Sequence, residues 1–157
     1  MKTTGNIATV TPADFPQAVE VWETSVRATH HFLKEADIQY FKPLILNEFL
    51  QVLELACIRD EKGRMLGFVG VAEGKVEMLF VHPASRGTGV GKKLLQHAIQ
   101  VLKANTVDVN EQNEQAVGFY LYAGFEVTGR SALDSMGKPF PLLHMQLHTR
   151  AKDASGQ

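Results

Sequence analysis

The chain has 157 residues, of which 45% are hydrophobic and 21% charged, with 16 basic and 17 acidic side chains and a net charge of −1. This is the length of one ordinary domain with enough apolar side chains to bury a core. The balanced charge and the lack of like-charge runs exclude a protein whose main partner is nucleic acid, which would carry a basic stripe, and no apolar run nears the ~18–20 residues of a membrane helix.

Taken in chain order, Ile7–Val10 reads as a short strand. Thr11-Pro12-Ala13-Asp14 reads as a helix start, with a Thr cap, Pro at the first helical position and an acid three residues after the cap. Phe15, Ala18, Val19, Trp22 and Val26 follow at helical spacing. Ala28–Gln39 reads as irregular. Phe41, Leu44, Ile45, Phe49, Val52 and Leu53 suggest a second amphipathic helix, broken near its start by Pro43. Leu55–Arg59 and Met65–Ala72 are expected strands joined by a turn at Asp60–Gly63, and Gly74 turns the chain into the strand Lys75–Val81. Val90, Leu94, Leu95, Ala98, Ile99 and Leu102 mark a long helix. Thr106–Val109 is a strand. Asn113 caps a helix that Gly124 ends, with Phe125 covering its last turn. Phe125–Leu133 and Leu142–Leu147 form a final hairpin. The reading is a single mixed α/β domain over residues 1–150 with a disordered tail at 151–157. Cys57, in the apolar context LACI, has no partner for an internal disulfide, and MKTTGNIATV lacks a signal-peptide core. Both fit a reducing, cytoplasmic setting.

The most informative stretch is Val76–Gly91, VEMLFVHPASRGTGVG, followed at once by the helical run KKLLQHAIQVL. Glycines at alternate positions 87, 89 and 91 let the backbone curl so that several N–H groups point into one concavity, and the helix N-terminus behind them adds positive partial charge. This is an anion cradle suited to a di- or polyphosphate. The P-loop pattern fails, because Arg86 stands at the required first glycine and Lys93 at the required Ser or Thr. The dinucleotide pattern fails too, since its third glycine would fall on Lys92 or Leu94. The six histidines and one cysteine show no metal-ligand spacing, so no metal is expected.

What fits is [Q/R]-x-x-G-x-[G/A] at Arg86, Gly89 and Gly91, and here the chain resembles the GNAT superfamily of N-acetyltransferases. Asn110–Phe125, NEQNEQAVGFYLYAGF, resembles the superfamily's second signature at Asn113, Ala116, Phe119, Tyr120, Gly124 and Phe125. The resemblance spans Ile7 to about His148. It implies a mixed, mostly antiparallel sheet of about seven strands with about four helices, splayed between strands four and five. Acetyl-CoA would serve as acyl donor, held by Arg86, Gly87, Thr88, Gly89, Val90, Gly91 and Lys92 at the pyrophosphate, by Leu79, Phe80 and Val81 along the pantetheine arm, and by Asn113, Ala116, Phe119 and Tyr120 on the later helix.

The implied chemistry is direct transfer of an acetyl group to a primary amine of a small molecule or a protein. The amine must first lose a proton to a base, and the departing thiolate must gain one. The resemblance implies Tyr120 as the proton donor, with Tyr122 the weaker candidate. Glu77, a carboxylate inside the apolar run VEMLFV, is a candidate base if it is buried and a surface group if it is not. His30 and His31 are the rival bases. A non-catalytic coenzyme-binding sensor is the competing function. The acceptor is not written in the chain: His30, Phe32, Tyr40, Asp134 and His144 are expected groove residues of mixed character. The final strands could pair across a homodimer.

Overall fold

The computed structural model describes residues 6–148, so the tail expected at 151–157 lies outside the described residues. Seven strands and four α-helices follow one another as β1 (Ile7–Thr9), α1 (Phe15–Thr29), α2 (Glu35–Leu44), β2 (Glu54–Arg59), β3 (Met65–Ala72), β4 (Lys75–Val81), α3 (Val90–Gln100), β5 (Thr106–Asn110), α4 (Glu114–Tyr122), β6 (Phe125–Ser131) and β7 (Leu142–Leu147). The chain forms two compact units that meet in sequence between Ala104 and Asn105.

In the first unit β1 to β4 pair antiparallel in chain order. The start of α1 behaves as its sequence requires. Thr11 N–H donates to the Asp14 carboxylate at 2.9 Å, a 3₁₀ turn spans Pro12–Asp14, and α1 follows. Phe15, Ala18, Val19, Trp22 and Val26 are all buried, together with Phe68 of β3. Asp14 also bridges to Arg59 of β2 at 2.9 Å.

Two expectations fail between residues 28 and 53. Of the stretch Ala28–Gln39 expected to be irregular, only residues 30–34 lie outside a helix, since α1 runs to Thr29 and α2 begins at Glu35. Glu35 and Asp37 lie in the first turn of α2, and Lys34 N–H donates to the Asp37 carboxylate at 3.0 Å, so acids at a helix N-terminus outweigh the weak apolar pattern. Pro43 sits near the end of α2 rather than near the start of a helix. It has no N–H to give, and the ladder beyond it loosens into a π-type segment at Ile45–Phe49 and a 3₁₀ turn at Leu50–Val52. Val52, expected on the apolar face, is 74% exposed.

β3, MLGFVGVA, is apolar along its length because helices cover both its faces, α1 on one side and α3 on the other. The β3–β4 turn is two residues, Glu73 at φ 51° and Gly74 at φ 80°, both left-handed as a primed hairpin turn demands. A turn this short sets the register of β4. Gly67 in β3 faces α3: a Cβ there would lie 3.0 Å from the Phe80 carbonyl oxygen, 3.0 Å from Val90 Cγ1 and 3.1 Å from Leu94 Cδ1.

In the second unit β7 lies between β5 and β6, antiparallel to both. Val107, Val109, Tyr120, Phe125 and Met145 are buried there. Gly124, at φ 106°, ends α4, and its carbonyl accepts from His148 N–H at 2.8 Å.

The contacts at Gly67 give a direct test. Gly67→Ala should lower the free energy of unfolding by about 1–3 kcal/mol, because the new methyl overpacks against backbone and two core side chains. Gly118→Ala in α4, where a Cβ meets nothing within 4 Å, should be neutral or stabilising by about 0.5–1 kcal/mol. Urea unfolding of both variants checks the contrast, and equal effects would refute it.

Candidate active site

β4 ends at Val81, and the next residue is anchored to β3: His82 N–H donates to the Leu66 carbonyl at 2.7 Å. A 3₁₀ turn over Pro83–Ser85 follows, capped by the His82 ring, whose Nδ1 accepts from Ala84 N–H at 3.1 Å. The Thr88 hydroxyl donates to the Ser85 carbonyl and folds the loop back on itself. Gly87 and Gly89 then adopt φ +79° and +92°, values that side chains disfavour. A Cβ at either would meet no atom within 4 Å, so the space above them is open. Gly91 differs from the alternate-glycine expectation, since it lies in the first turn of α3 without a left-handed φ.

The first ladder bond of α3 runs from Lys93 N–H to the Gly89 carbonyl at 3.0 Å. The N–H groups of Gly89 to Lys92 therefore precede the ladder at the positive end of the helix dipole. Between Arg86 and Lys93 the loop carries three basic side chains and no acidic one. Open space, left-handed glycines and a helix N-terminus together fit a diphosphate.

Along β4, Met78 and Phe80 pack toward the α1 core, which by alternation leaves Leu79 and Val81 on the opposite face. The β3 register passes from Gly70 opposite Met78 to Val71 opposite Val76, so Glu77 is the extra residue of a β-bulge. Its side chain is exposed, so the premise of a carboxylate buried in an apolar strand is not met. His30 is half-buried at the end of α1. Its N–H donates to the Val26 carbonyl, its Nδ1 lies 2.7 Å from Thr29 Oγ1, and its ring stands 5.2 Å from Phe32 and 6.3 Å from Phe80. Burial, with a smaller contribution from the charge of His31, pushes its pKa down to about 4. His31 is exposed.

In the second unit Asn113 caps α4, its side-chain oxygen accepting from Ala116 N–H at 3.1 Å. Tyr120 is buried, with the rings of Phe119 and Phe125 edge-on at 5.1 and 5.5 Å. Burial raises its pKa, so the phenol keeps its proton at any working pH. Tyr122 is 92% exposed. Two residues on a helix are about 200° apart, which puts the two tyrosines on opposite faces.

Residues 17–147 match the family model described as acetyltransferase (GNAT) domain. The chain belongs to the GNAT acetyltransferase family. It is 42% identical over 129 residues to the peptidyl-lysine N-acetyltransferase YjaB of Escherichia coli (strain K12), covering 82% of this chain and 87% of that protein. It is 41% identical over 127 residues to YjaB of Salmonella typhimurium, covering 81% and 87%. The solution structure of apo-form YjaB from Escherichia coli superposes with a TM-score of 0.78 at 38% identity, over 90% of this chain and 95% of that one. The expected fold and activity therefore hold: this GNAT protein is an acetyl-CoA-dependent N-acetyltransferase that moves an acetyl group to an amine. The relatives are named as catalysts, and nothing favours the non-catalytic module. No helix among the described residues is long and apolar enough to cross a membrane, and no group of three or more His, Cys, Asp or Glu among them could hold a metal.

Two features of this chain were not legible in the sequence. Gly67 looks like any strand glycine until α3 is seen against it. The side chains of Asp108, His144 and Ser131 form one hydrogen-bonded chain, yet they are 13 to 36 residues apart in sequence, and only strand register joins them. No local motif signals either.

The buried His30 makes stability depend on pH. Its ordinary pKa of 6.5 falls to about 4 on folding, so between those values the unfolded chain binds a proton that the folded chain refuses. Stability therefore falls as pH drops through that window and levels off below it. Carboxylates held low, such as Glu35 at about 2 against an ordinary 4.5, add slope only below about pH 4.5. His30→Gln should flatten the slope of unfolding free energy between about pH 6.5 and 5. Urea titrations at several pH values measure it, and an unchanged slope would rule His30 out as its source.

Proposed function

We propose that this acetyltransferase acts on the side-chain amine of lysine in proteins, in the cytoplasm. The observation that carries this reading is the 42% identity, over most of both chains, to a peptidyl-lysine N-acetyltransferase. The single Cys57, a buried free thiol, fits a reducing compartment.

In this reading the backbone of Arg86–Lys92 holds the pyrophosphate of acetyl-CoA. Leu79, Phe80 and Val81 offer their strand backbone to the pantetheine arm in the manner of an added strand. Asn113, Ala116 and Phe119 shape the α4 side of the donor site. Tyr120 gives its proton to the departing thiolate. A phenol with its pKa raised by burial is well suited to be an acid, since it does not ionise beforehand. Tyr122, exposed on the other face, supports no such role. Glu77 and His30, the bases that the sequence suggests, are poor ones here. The first is a solvated surface carboxylate, and the second is too weak at about 4 to take a proton from an ammonium.

Gly89→Val should weaken acetyl-CoA binding by at least ~10-fold, since a β-branched residue resists the +92° φ and its side chain enters the open space. Calorimetric titration of the folded variant reads this, and wild-type affinity would sink the cradle.

Tyr120→Phe should leave acetyl-CoA affinity and melting temperature nearly unchanged while turnover on a lysine peptide falls toward the lower end of ~10²–10⁴-fold, because water partly replaces the lost acid. Tyr122→Phe should run as wild type. The reverse order of the two variants would overturn the assignment.

A further inference from the structure

An amine attacks a thioester only as the neutral base, so acetylation of lysine needs a proton acceptor. Glu77 is exposed on its bulge and His30 is half-buried against Phe32 and Phe80, and neither is a strong candidate for that acceptor. The second unit contains a hydrogen-bonded chain that the reactions described so far leave unused. Ser131 Oγ is 2.6 Å from His144 Nε2, and His144 Nδ1 is 2.7 Å from Asp108 Oδ1. The His144 and Asp108 side chains are 36% and 22% exposed, open enough to meet a substrate and sheltered enough to hold their geometry.

Three adjacent strands build this chain. Asp108 of β5 is the register partner of His144 of β7. Across β7, the β6 register passes from Val127 opposite Met145 to Gly129 opposite His144, so Thr128 is the extra residue of a bulge. Its hydroxyl donates to the His144 carbonyl at 3.2 Å. Without the extra residue Thr128 would oppose His144, and Ser131 would point to the other face of the sheet. With it, Ser131, opposite Leu142, comes onto the face of His144. Gly129 lies opposite the ring, where a Cβ would stand in ordinary contact 3.6 Å from His144 Cδ2. The bulge thus makes the contact between His144 and Ser131 possible.

The donor pattern follows from the chemistry. An ionised Asp108 only accepts, so Nδ1 of the neutral ring carries the hydrogen and Nε2 accepts from the Ser131 hydroxyl. The Ser131 oxygen keeps lone pairs for a donor arriving from outside. Other charged groups of this sheet and the following loop are engaged elsewhere: Glu126 lies 3.5 Å from His148, Arg130 bridges to Glu111 at 2.7 Å, and Asp134 accepts from the Met136 and Lys138 N–H groups. Tyr120, on α4, packs with Phe125 on the opposite face, the one that also buries Met145. Asp108 is thus the anion that contacts the ring.

We propose that Ser131, His144 and Asp108 form the relay that deprotonates the acceptor ammonium, with His144 Nε2 as the proton's destination. This rests on the reading of the protein as an amine acetyltransferase. The ammonium N–H bond breaks as a new O–H bond forms on Ser131, while the original Ser131 O–H bond breaks and an N–H bond forms at Nε2. The net step moves one proton, and no atom changes oxidation state. Asp108 steadies the imidazolium, which then yields its proton to water, in keeping with the one proton released overall when an ammonium and a thioester become an amide and a thiol.

The test uses His144→Gln, Asp108→Asn and Ser131→Ala in the full chain, with steady-state acetylation of a lysine peptide followed from about pH 6.5 to 9.5 and acetyl-CoA affinity measured by calorimetry. For His144→Gln, kcat at pH 7 should fall ~10²-fold with acetyl-CoA affinity unchanged. The deficit should shrink as pH rises toward the ordinary lysine pKa of about 10.4, where solution itself supplies neutral amine. Asp108→Asn should show the same pH signature with a smaller loss, and Ser131→Ala a smaller one still where water bridges the gap. A variant that raises only the acceptor KM would make these residues binding groups, and wild-type pH profiles in all three would end the proposal. Proton NMR adds a readout independent of acceptor: a low-field His144 ring N–H resonance should be present in wild type and lost in Asp108→Asn, and its absence in wild type would also refute the relay. Failure of the wild type to acetylate any lysine peptide is a separate result, visible before a variant is made, and it would count against the lysine acceptor itself.

Discussion

The conformation of the Arg86–Gly91 loop, the proposed phosphate cradle, depends on one close approach, that of α3 to β3 at Gly67. Both ends of the loop dock at this spot. His82 N–H bonds the Leu66 carbonyl where the loop begins, and Val90 and Leu94 of α3 press on Gly67 where it ends. A loop pinned at two neighbouring points of one strand has few conformations left. The left-handed turns at Gly87 and Gly89 close the remaining distance, with open space beside both. The pre-organisation lies in backbone packing rather than in charged side chains, which suits a ligand whose phosphates need many weak donors in a fixed array.

The position of β4 follows from the same economy of freedom. The two-residue hairpin at Glu73-Gly74 sets its register on β3, and the bulge at Glu77 then turns that carboxylate out to solvent. The strand beyond the bulge is left apolar, with Met78 and Phe80 tied to the α1 core. A charged residue in an apolar run can thus be accommodated by a backbone irregularity instead of by a buried partner.

Two histidines show how environment divides one residue type between roles. His30 sits among Thr29, Phe32 and Phe80, and burial costs it its basicity. His144 sits in a more open place with a carboxylate on one ring nitrogen and a hydroxyl on the other. The first arrangement makes a neutral packing element, and the second fixes the ring of the proposed relay between a hydroxyl and a carboxylate. Tyr120 is the complement: burial that would ruin a base leaves a phenol reliably protonated.

Local chemistry written in the chain decided a great deal. The Thr11–Asp14 start, the apolar face of α1, the bounds of β3 and β4, the two signatures and the Asn113 cap were all legible, because each rests on contacts within a few residues or on simple periodicity. The family and its donor followed from those motifs. The start of α2 at Glu35 was legible in principle too, in its first-turn acids, but a weak apolar pattern hid it. Burial and register were decided only by the tertiary structure. Whether Glu77 faces core or solvent, why His30 loses its basicity, why Gly67 must lack a side chain and how Ser131 reaches His144 all depend on residues distant in sequence. A single-residue bulge reverses which side chains share a face, and it leaves no mark in composition or spacing, because the pairing strand that defines it is elsewhere in the chain.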